Sequence, residues 1–237
     1  MNNVEKIKNS VDGIAINDEG LENRAAMDPF TTAKLLKNKY DNIIYEINLD
    51  TRDINVVISN IYSAYEVGIQ TILFFSQELD FEDILDTISE FKTDFEDNIV
   101  RMCFGVSFDE IISDMSILND MALAGFDFIL LPQNYDPAIF IPFIQEAKNL
   151  DFQVFVKLSI FLNAQQVKFA KKYLNFGIPD ELIAQMDNAK KPLEISIKFA
   201  KEYIEFLNIL EINGLFLFIP QNEKNLAIKK ALFHGED

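Results

Sequence analysis

The sequence predicts an α/β fold of the (β/α)8 TIM-barrel type, and three observations carry that prediction. Short apolar runs begin near residues 13, 43, 70, 100, 127, 153 and 214. Amphipathic stretches separate most of them, so strand and helix alternate with a repeat of roughly 30 residues, the length of a βα unit. The runs also lack the polar alternation of a half-exposed strand. Thr71-Ile72-Leu73-Phe74-Phe75 is the clearest case, as expected where both faces of a parallel sheet are covered. A doubly wound open sheet is the alternative architecture. No linker rich in Pro, Gly or Ser divides the chain, so residues 1–237 read as one domain. Seven strands are visible where a closed barrel has eight, so the barrel reads as incomplete.

The elements follow in order. A short helical lead-in at Val4–Asn9 precedes a first strand from Gly13 to Asn17. Asp28-Pro29 opens a helix through Tyr40, with Asp28 as cap and Pro29 at the first helical position. The segment Glu46–Glu78 contains a complete helix between two strands. Ile54, Val57, Ile58, Ile61, Tyr62 and Tyr65 form one apolar stripe, Asp53 caps its start and Gly68 ends it. Phe81–Phe95 carries a second such stripe. Val100–Val106 is a strand, Asp109–Ala124 a helix ended by Gly125, and Phe126–Leu131 a strand stopped by Pro132. Asp136-Pro137 opens a helix to Leu150, and Phe152–Ile160 is a strand. Helices near Ala164–Tyr173 and Leu193–Ile212 flank a shorter segment at Pro179–Met186. Gly214–Ile219 is the last strand and Asn222–Phe233 the last helix. Gly13, Gly68, Gly125 and Gly214 all read as terminators that need positive φ.

Composition excludes several classes of function. The chain has 38 acidic and 21 basic residues, a net charge of −17. Nucleic acid and anionic membrane surfaces call for clustered Lys and Arg, so neither is expected as a partner. No apolar run approaches the ~20 residues of a membrane span, and MNNVEKIKNS lacks the apolar core of a signal peptide. The single cysteine, Cys103, excludes an intramolecular disulfide. A cytoplasmic location is expected, with hydrophobic residues at 49% able to fill a sizeable core.

In a barrel the ligand site lies at the carboxyl ends of the strands. That rule selects Asn17 and Asp18; Asn48, Asp50 and Arg52; Ser76, Gln77 and Glu78; Ser107 and Asp109; Gln133 and Asn134; Lys157 and Ser159; Gln221, Asn222 and Glu223. Walker, GxGxxG and HExxH motifs are absent, and no metal site is expected. The one histidine, His234, reads as an exposed tail residue. Glu46, Glu78 and Asp109 are carboxylates near strand ends, placed either for proton transfer or simply for solvation. Lys157 stands inside the apolar strand VFVKLSI. It reads as a strand-end lysine that snorkels to solvent or pairs with a carboxylate such as Asp50 or Glu78, or as the amine of a Schiff-base lyase.

With the units placed, the chain resembles the methylenetetrahydrofolate reductase family from about Val11 to Leu232. DGIAINDEGLENRAAMDPFTTAKLL resembles the family's second βα unit. Glu46–Glu78 resembles its third strand, the following helix and a fourth strand that ends at a flavin-contacting acid. The stretch from Phe169 to Ile228 resembles its C-terminal part. The resemblance implies a flavin-linked oxidoreductase of one-carbon metabolism that uses FAD, with folate and NAD(P)H as its small-molecule partners. It implies Glu78 as the catalytic acid beside the flavin, and Asn48, Arg52 and Ser76 with Glu78 around the cofactor. Gln133 and Asn222 are implied as substrate contacts. Chemistry-bearing positions depart from the family pattern. A histidine-x-threonine becomes Glu46-Ile47-Asn48, an RGD becomes Ser76-Gln77-Glu78, and a TQ becomes Leu131-Pro132 with Gln133 one place late. A PGILP becomes Val156-Lys157-Leu158-Ser159-Ile160, and an NR becomes Asn222-Glu223. The family's first strand, with its catalytic glutamate, has no counterpart. Its absence leaves two sheet edges for the N-terminal helix or another subunit to cover, unless translation begins upstream. The alternative to an active reductase is a non-catalytic barrel serving as an interaction or regulatory subunit, either a homo-oligomer or bound to another protein.

Overall fold

The computed structural model describes residues 11–16, 28–50, 52–76, 82–94, 102–108, 115–173, 176–218, 228 and 232. Among the described residues, seven parallel strands form one sheet in strict sequence order. They are β1 (Ile14–Ile16), β2 (Ile43–Asn48), β3 (Thr71–Phe75), β4 (Cys103–Ser107), β5 (Phe128–Leu131), β6 (Gln153–Ser159) and β7 (Gly214–Phe218). Successive strands pair only with their neighbours, with Asn48 opposite Phe75, Phe75 opposite Ser107 and Ser107 opposite Leu130. This is the arc of an incomplete (β/α)8 barrel, with β1 and β7 as its outer strands.

The connecting helices are α1 (Pro29–Lys37), α2 (Ile54–Glu66), α3 (Glu82–Asp94), α4 (Ser116–Ala124) and α5 (Ile141–Asn149). Three more, α6 (Ala164–Tyr173), α7 (Asp180–Asn188) and α8 (Pro192–Ile209), lie between β6 and β7. The caps of α1 and α2 are those the sequence predicts. The Thr31 amide donates to the Asp28 carboxylate at 2.8 Å, and the Asn55 amide to that of Asp53 at 2.9 Å. The Asn55 side-chain and backbone donors hold the Asp53 carboxyl below the usual carboxylate range.

Side chains alternate across each strand, and both faces are apolar for different reasons. Tyr45, Ile47, Ile72, Phe74, Phe104, Val106, Ile129, Val154 and Val156 face the helices and pack with Val57, Ile61, Ile88, Met121 and Phe143. Leu73, Phe128 and Leu130 face the inside of the arc, with Ile44, Phe155 and Phe216 against them. Thus Phe74 and Phe104, whose rings stack at 6.2 Å, belong to the outer layer and not to the barrel interior. A smaller cluster, including Phe161, Val167, Leu182 and Met186, gives the helical insertion its own core.

Two polar residues lock strand starts together. Asp127, just before β5, accepts from the Phe104 amide at 2.9 Å, and its own amide donates back to the Phe104 carbonyl. Asn213, just before β7, makes the same reciprocal pair with Val154. Each clamp satisfies a backbone donor at the sheet's amino end that the ladder leaves open.

Four expectations change. Positive φ occurs at Gly68 and Gly125 but not at Gly13 or Gly214. The left-handed turns before β6 and β7 are made by Asp151 and Glu211. Gly214 is instead under steric demand, because a β-carbon there would approach the Phe155 ring to 3.0 Å. The predicted helix from Pro137 is a 3-10 turn, Pro137–Phe140, followed by α5. Pro142 has no N–H to donate, so it suits a first helical turn and not the middle of a longer helix. Helix α4 starts at Ser116, and residues 109–114 lie outside the described residues, as do the predicted N-terminal helix and all of the last helix except positions 228 and 232. Helix α8 ends at Ile209, before the predicted Ile212.

Candidate functional site at the carboxyl end of the sheet

The carboxyl ends of β2 and β3 bring three of the predicted cofactor residues to one corner. Asn48 ends β2 directly opposite Phe75, and Ser76 follows β3 at 2% exposure. The Asp50 amide donates to Asn48 Oδ1 at 2.9 Å, which closes the loop after β2. Ser76 donates its hydroxyl to Asp50 Oδ1 at 2.5 Å, tying that loop to β3. Arg52 is half-buried on the same loop, two residues past Asp50. Glu78 and Asn222, the predicted acid and the second substrate contact, lie outside the described residues, as do Asn17, Asp18, Gln77, Asp109, Gln221, Glu223 and His234.

This corner tests the fit of a flavin. Asn48, Ser76 and the Arg52 guanidinium suit the polar edge of an isoalloxazine ring. Asp50 puts a carboxylate beside Ser76, and like charge keeps a pyrophosphate away from that point. The donors at this corner thus match a polar ring edge, and the Asp50 carboxylate does not match a phosphate at that point.

Gln133 follows β5 and is 1% exposed. The Ser159 amide on β6 donates to its Oε1 at 2.7 Å, while Nε2 is buried with no hydrogen-bond partner among the described residues. Two tyrosines support this side. Tyr135 and Tyr203 stand 5.1 Å apart, centroid to centroid, and Asn134 donates its amide to the Tyr203 hydroxyl at 3.4 Å. Burial pushes both phenols well above the ordinary value of 10.0, opposed by Gln133 at Tyr135 and by the Asn134 amide at Tyr203. The Tyr135 hydroxyl is buried but makes no hydrogen bond of good geometry, so Gln133 lies near it without a formed bond. Neither tyrosine is visible as a site residue in the sequence. The clue that points to them is the aromatic packing of the helical insertion against the loop after β5.

The sign of the resulting pH effect is fixed. A phenol whose folded-state value is raised holds its stabilisation below its unfolded value and loses it as pH rises. Unfolding in urea is therefore expected to become easier above about pH 10, with the loss reduced in Tyr203→Phe. Equal alkaline profiles for that variant and the parent would remove the tyrosines from this account.

On the concave face, Glu46, Ser107 and Lys157 are all buried. Glu46 and Lys157 are each 9% exposed and Ser107 fully enclosed. Lys157 sits on β6 opposite Phe216, and its Nζ lies 5.7 Å from the centroid of the Phe75 ring on β3. Its side chain thus reaches across the arc instead of snorkelling outward. The Ser107 hydroxyl has no partner among the described residues. Among those residues no cluster of three or more His, Cys, Asp or Glu is placed to hold a metal, and no helix is long and apolar enough to cross a membrane.

No family model and no curated protein matches this sequence. Solved structures do match. An aldo-keto reductase from Bacillus halodurans aligns with a TM-score of 0.56 at 16% identity, over 98% of this chain and 79% of that one. KGPDC from Streptococcus mutans aligns with a TM-score of 0.49 at 14% identity, over 86% and 89%. Deoxyribose phosphate aldolase from Aeropyrum pernix aligns with a TM-score of 0.44 at 15% identity. That match covers 60% of this chain and 65% of the aldolase, under two thirds of its length. The similarity to the aldo-keto reductase establishes the barrel fold and nothing about the reaction.

Proposed function

We propose that this chain is a methylenetetrahydrofolate reductase-like barrel that binds a folate-type ligand at the carboxyl end of its sheet. Flavin-linked reduction is the reaction the sequence resemblance implies. The observation that carries the reading is Gln133. It is buried and fixed by the Ser159 amide, and its Nε2, near the Tyr135 hydroxyl, makes no formed hydrogen bond among the described residues, which supports a preorganised donor for a heterocycle. The sequence resemblance supplies the family.

Asn48, Arg52 and Ser76 would hold the polar edge of FAD, and Glu78 would serve as the acid beside it. When bound, the flavin supplies hydride transfer between NAD(P)H and the folate. The chain's own part is to bind, orient and exclude water. A cytoplasmic location suits these soluble partners. The experiment is a titration of the purified protein with FAD, followed by its absorption spectrum, in the presence and absence of methyltetrahydrofolate.

A second reading has one observation in its favour. Ser76 is engaged with Asp50, so the strand end that carries the family's cofactor acid is here partly closed on itself. In that reading the barrel is a non-catalytic interaction or regulatory subunit. It would bind a protein partner or another copy of itself, and co-purification with an intact reductase chain would support it.

A further inference from the structure

We infer that the outer face of α6 is the contact through which two copies of this chain pair, each seating Phe169 and Tyr173 against those of the other. The pairing stands whether or not the barrel binds flavin and folate.

Helix α6 turns its small residues inward and its large ones outward. Its buried stripe is Ala164, Val167 and Ala170, which join Leu182 and Met186 of α7 in the core of the helical insertion. Phe169 and Tyr173 point the other way, 56% and 63% exposed. They stand one turn apart with ring centroids at 4.9 Å, so they make one continuous aromatic surface and not two scattered residues. Gln165, Phe169, Lys172 and Tyr173 share the i, i+4, i+7, i+8 stripe, and all four are exposed. The Lys172 Nζ lies 4.9 Å from the centroid of the Tyr173 ring, which lays the lysine stem along the same surface.

Charge selects the occupant. Residues 164–209 hold seven lysines and six carboxylates, whereas the rest of the chain holds 14 basic and 32 acidic residues. Two copies that approach by their acidic surfaces repel, and the insertion is where the signs balance. Lys168 and Lys171, on either side of Phe169, are neutralised by Asp187 and Asp180 at 2.5 and 2.6 Å. A rim of both signs is complementary to a rotated copy of itself, while a partner of one sign meets repulsion over half of it. With α6 antiparallel to its copy, Phe169 lies nearest the two-fold axis, and Gln165 of each copy meets Tyr173 of the other. Four rings, each more than half exposed, offer on the order of 500 Å² of aromatic surface, the core of an interface near the lower end of the stable range, ~1,200 Å². That size fits a reversible dimer and not an obligate one.

Sedimentation velocity of the full chain between about 1 and 200 µM reads the association. The expected result is a monomer–dimer equilibrium, weakened at least about tenfold in Phe169→Asp. Leu123→Asp, at a leucine 85% exposed on α4, is expected to leave it unchanged. Both substitutions replace exposed side chains, so their urea midpoints should stay near that of the parent. In a Cys103→Ser background, Phe169→Cys places two thiols beside the two-fold axis, where a short bismaleimide is expected to join two chains. A species of monomer mass across the whole range would overturn the inference and leave the aromatic pair to another occupant. A dimer equally strong in Phe169→Asp would also overturn it, as would one that the Phe169→Cys linkage does not capture. None of these readouts involves flavin or folate, so this inference and the proposed function fail separately.

Discussion

Gly105→Ala is expected to destabilise the protein by about 1–3 kcal/mol, the usual effect of overpacking a filled core. Gly105 lies on β4 between Leu73 on β3 and Phe128 on β5. A β-carbon built there falls 2.3 Å from the Phe128 ring. The ring has little room to retreat, because Phe128 packs edge-on against Phe155 at 5.7 Å, and Phe155 against Phe216 at 5.8 Å. One methyl group therefore pushes on a chain of three rings that fills the inner layer. The urea midpoint should fall without much change in slope, and Phe128→Leu in the Gly105→Ala background should recover part of the loss. A midpoint equal to that of the parent would mean that the inner layer is not packed as described.

Gln133→Leu is the second large effect, and it acts on stability and binding together. Leucine keeps the volume but offers no acceptor, so the Ser159 amide loses its partner at a buried position, at a cost of about 1–3 kcal/mol. Nε2 disappears as well. If the mouth takes a folate-type ligand through that donor, affinity for methyltetrahydrofolate should drop roughly tenfold, equivalent to about 1.4 kcal/mol. Calorimetric titration reads the second quantity and urea unfolding the first. Loss of stability with unchanged affinity would leave Gln133 a structural residue only.

Much of this was legible in the residues. The apolar runs at Ile43, Thr71 and Phe128 marked strands because both faces of the sheet are covered, which removes alternation. The caps at Asp28 and Asp53 were legible because side-chain capping is local. Lys157 stood out because a cation is costly in an apolar strand. What could not be read is what depends on register and on distant partners. Asp127 and Asn213 look like ordinary turn residues, yet each clamps the neighbouring strand. Asp50 is recognisable as a strand-end acid, but its bond to Ser76 joins positions 26 residues apart. The outward placement of Phe74 and Phe104 follows from the parity of each strand, which a continuous apolar run conceals. Asp151 and Glu211 take left-handed turns where glycine would be the natural expectation. Tyr135 and Tyr203 reach the site only because the helical insertion folds back over the loop after β5.

The central claim is that the carboxyl end of this sheet retains a flavin and folate site. The most direct measurement is the visible spectrum of the purified protein titrated with FAD. The account predicts a saturable shift of the flavin band that is weakened in Arg52→Ala, and reoxidation of the reduced complex by methylenetetrahydrofolate. A spectrum identical to free FAD throughout the titration, with no folate-dependent reoxidation, would contradict it.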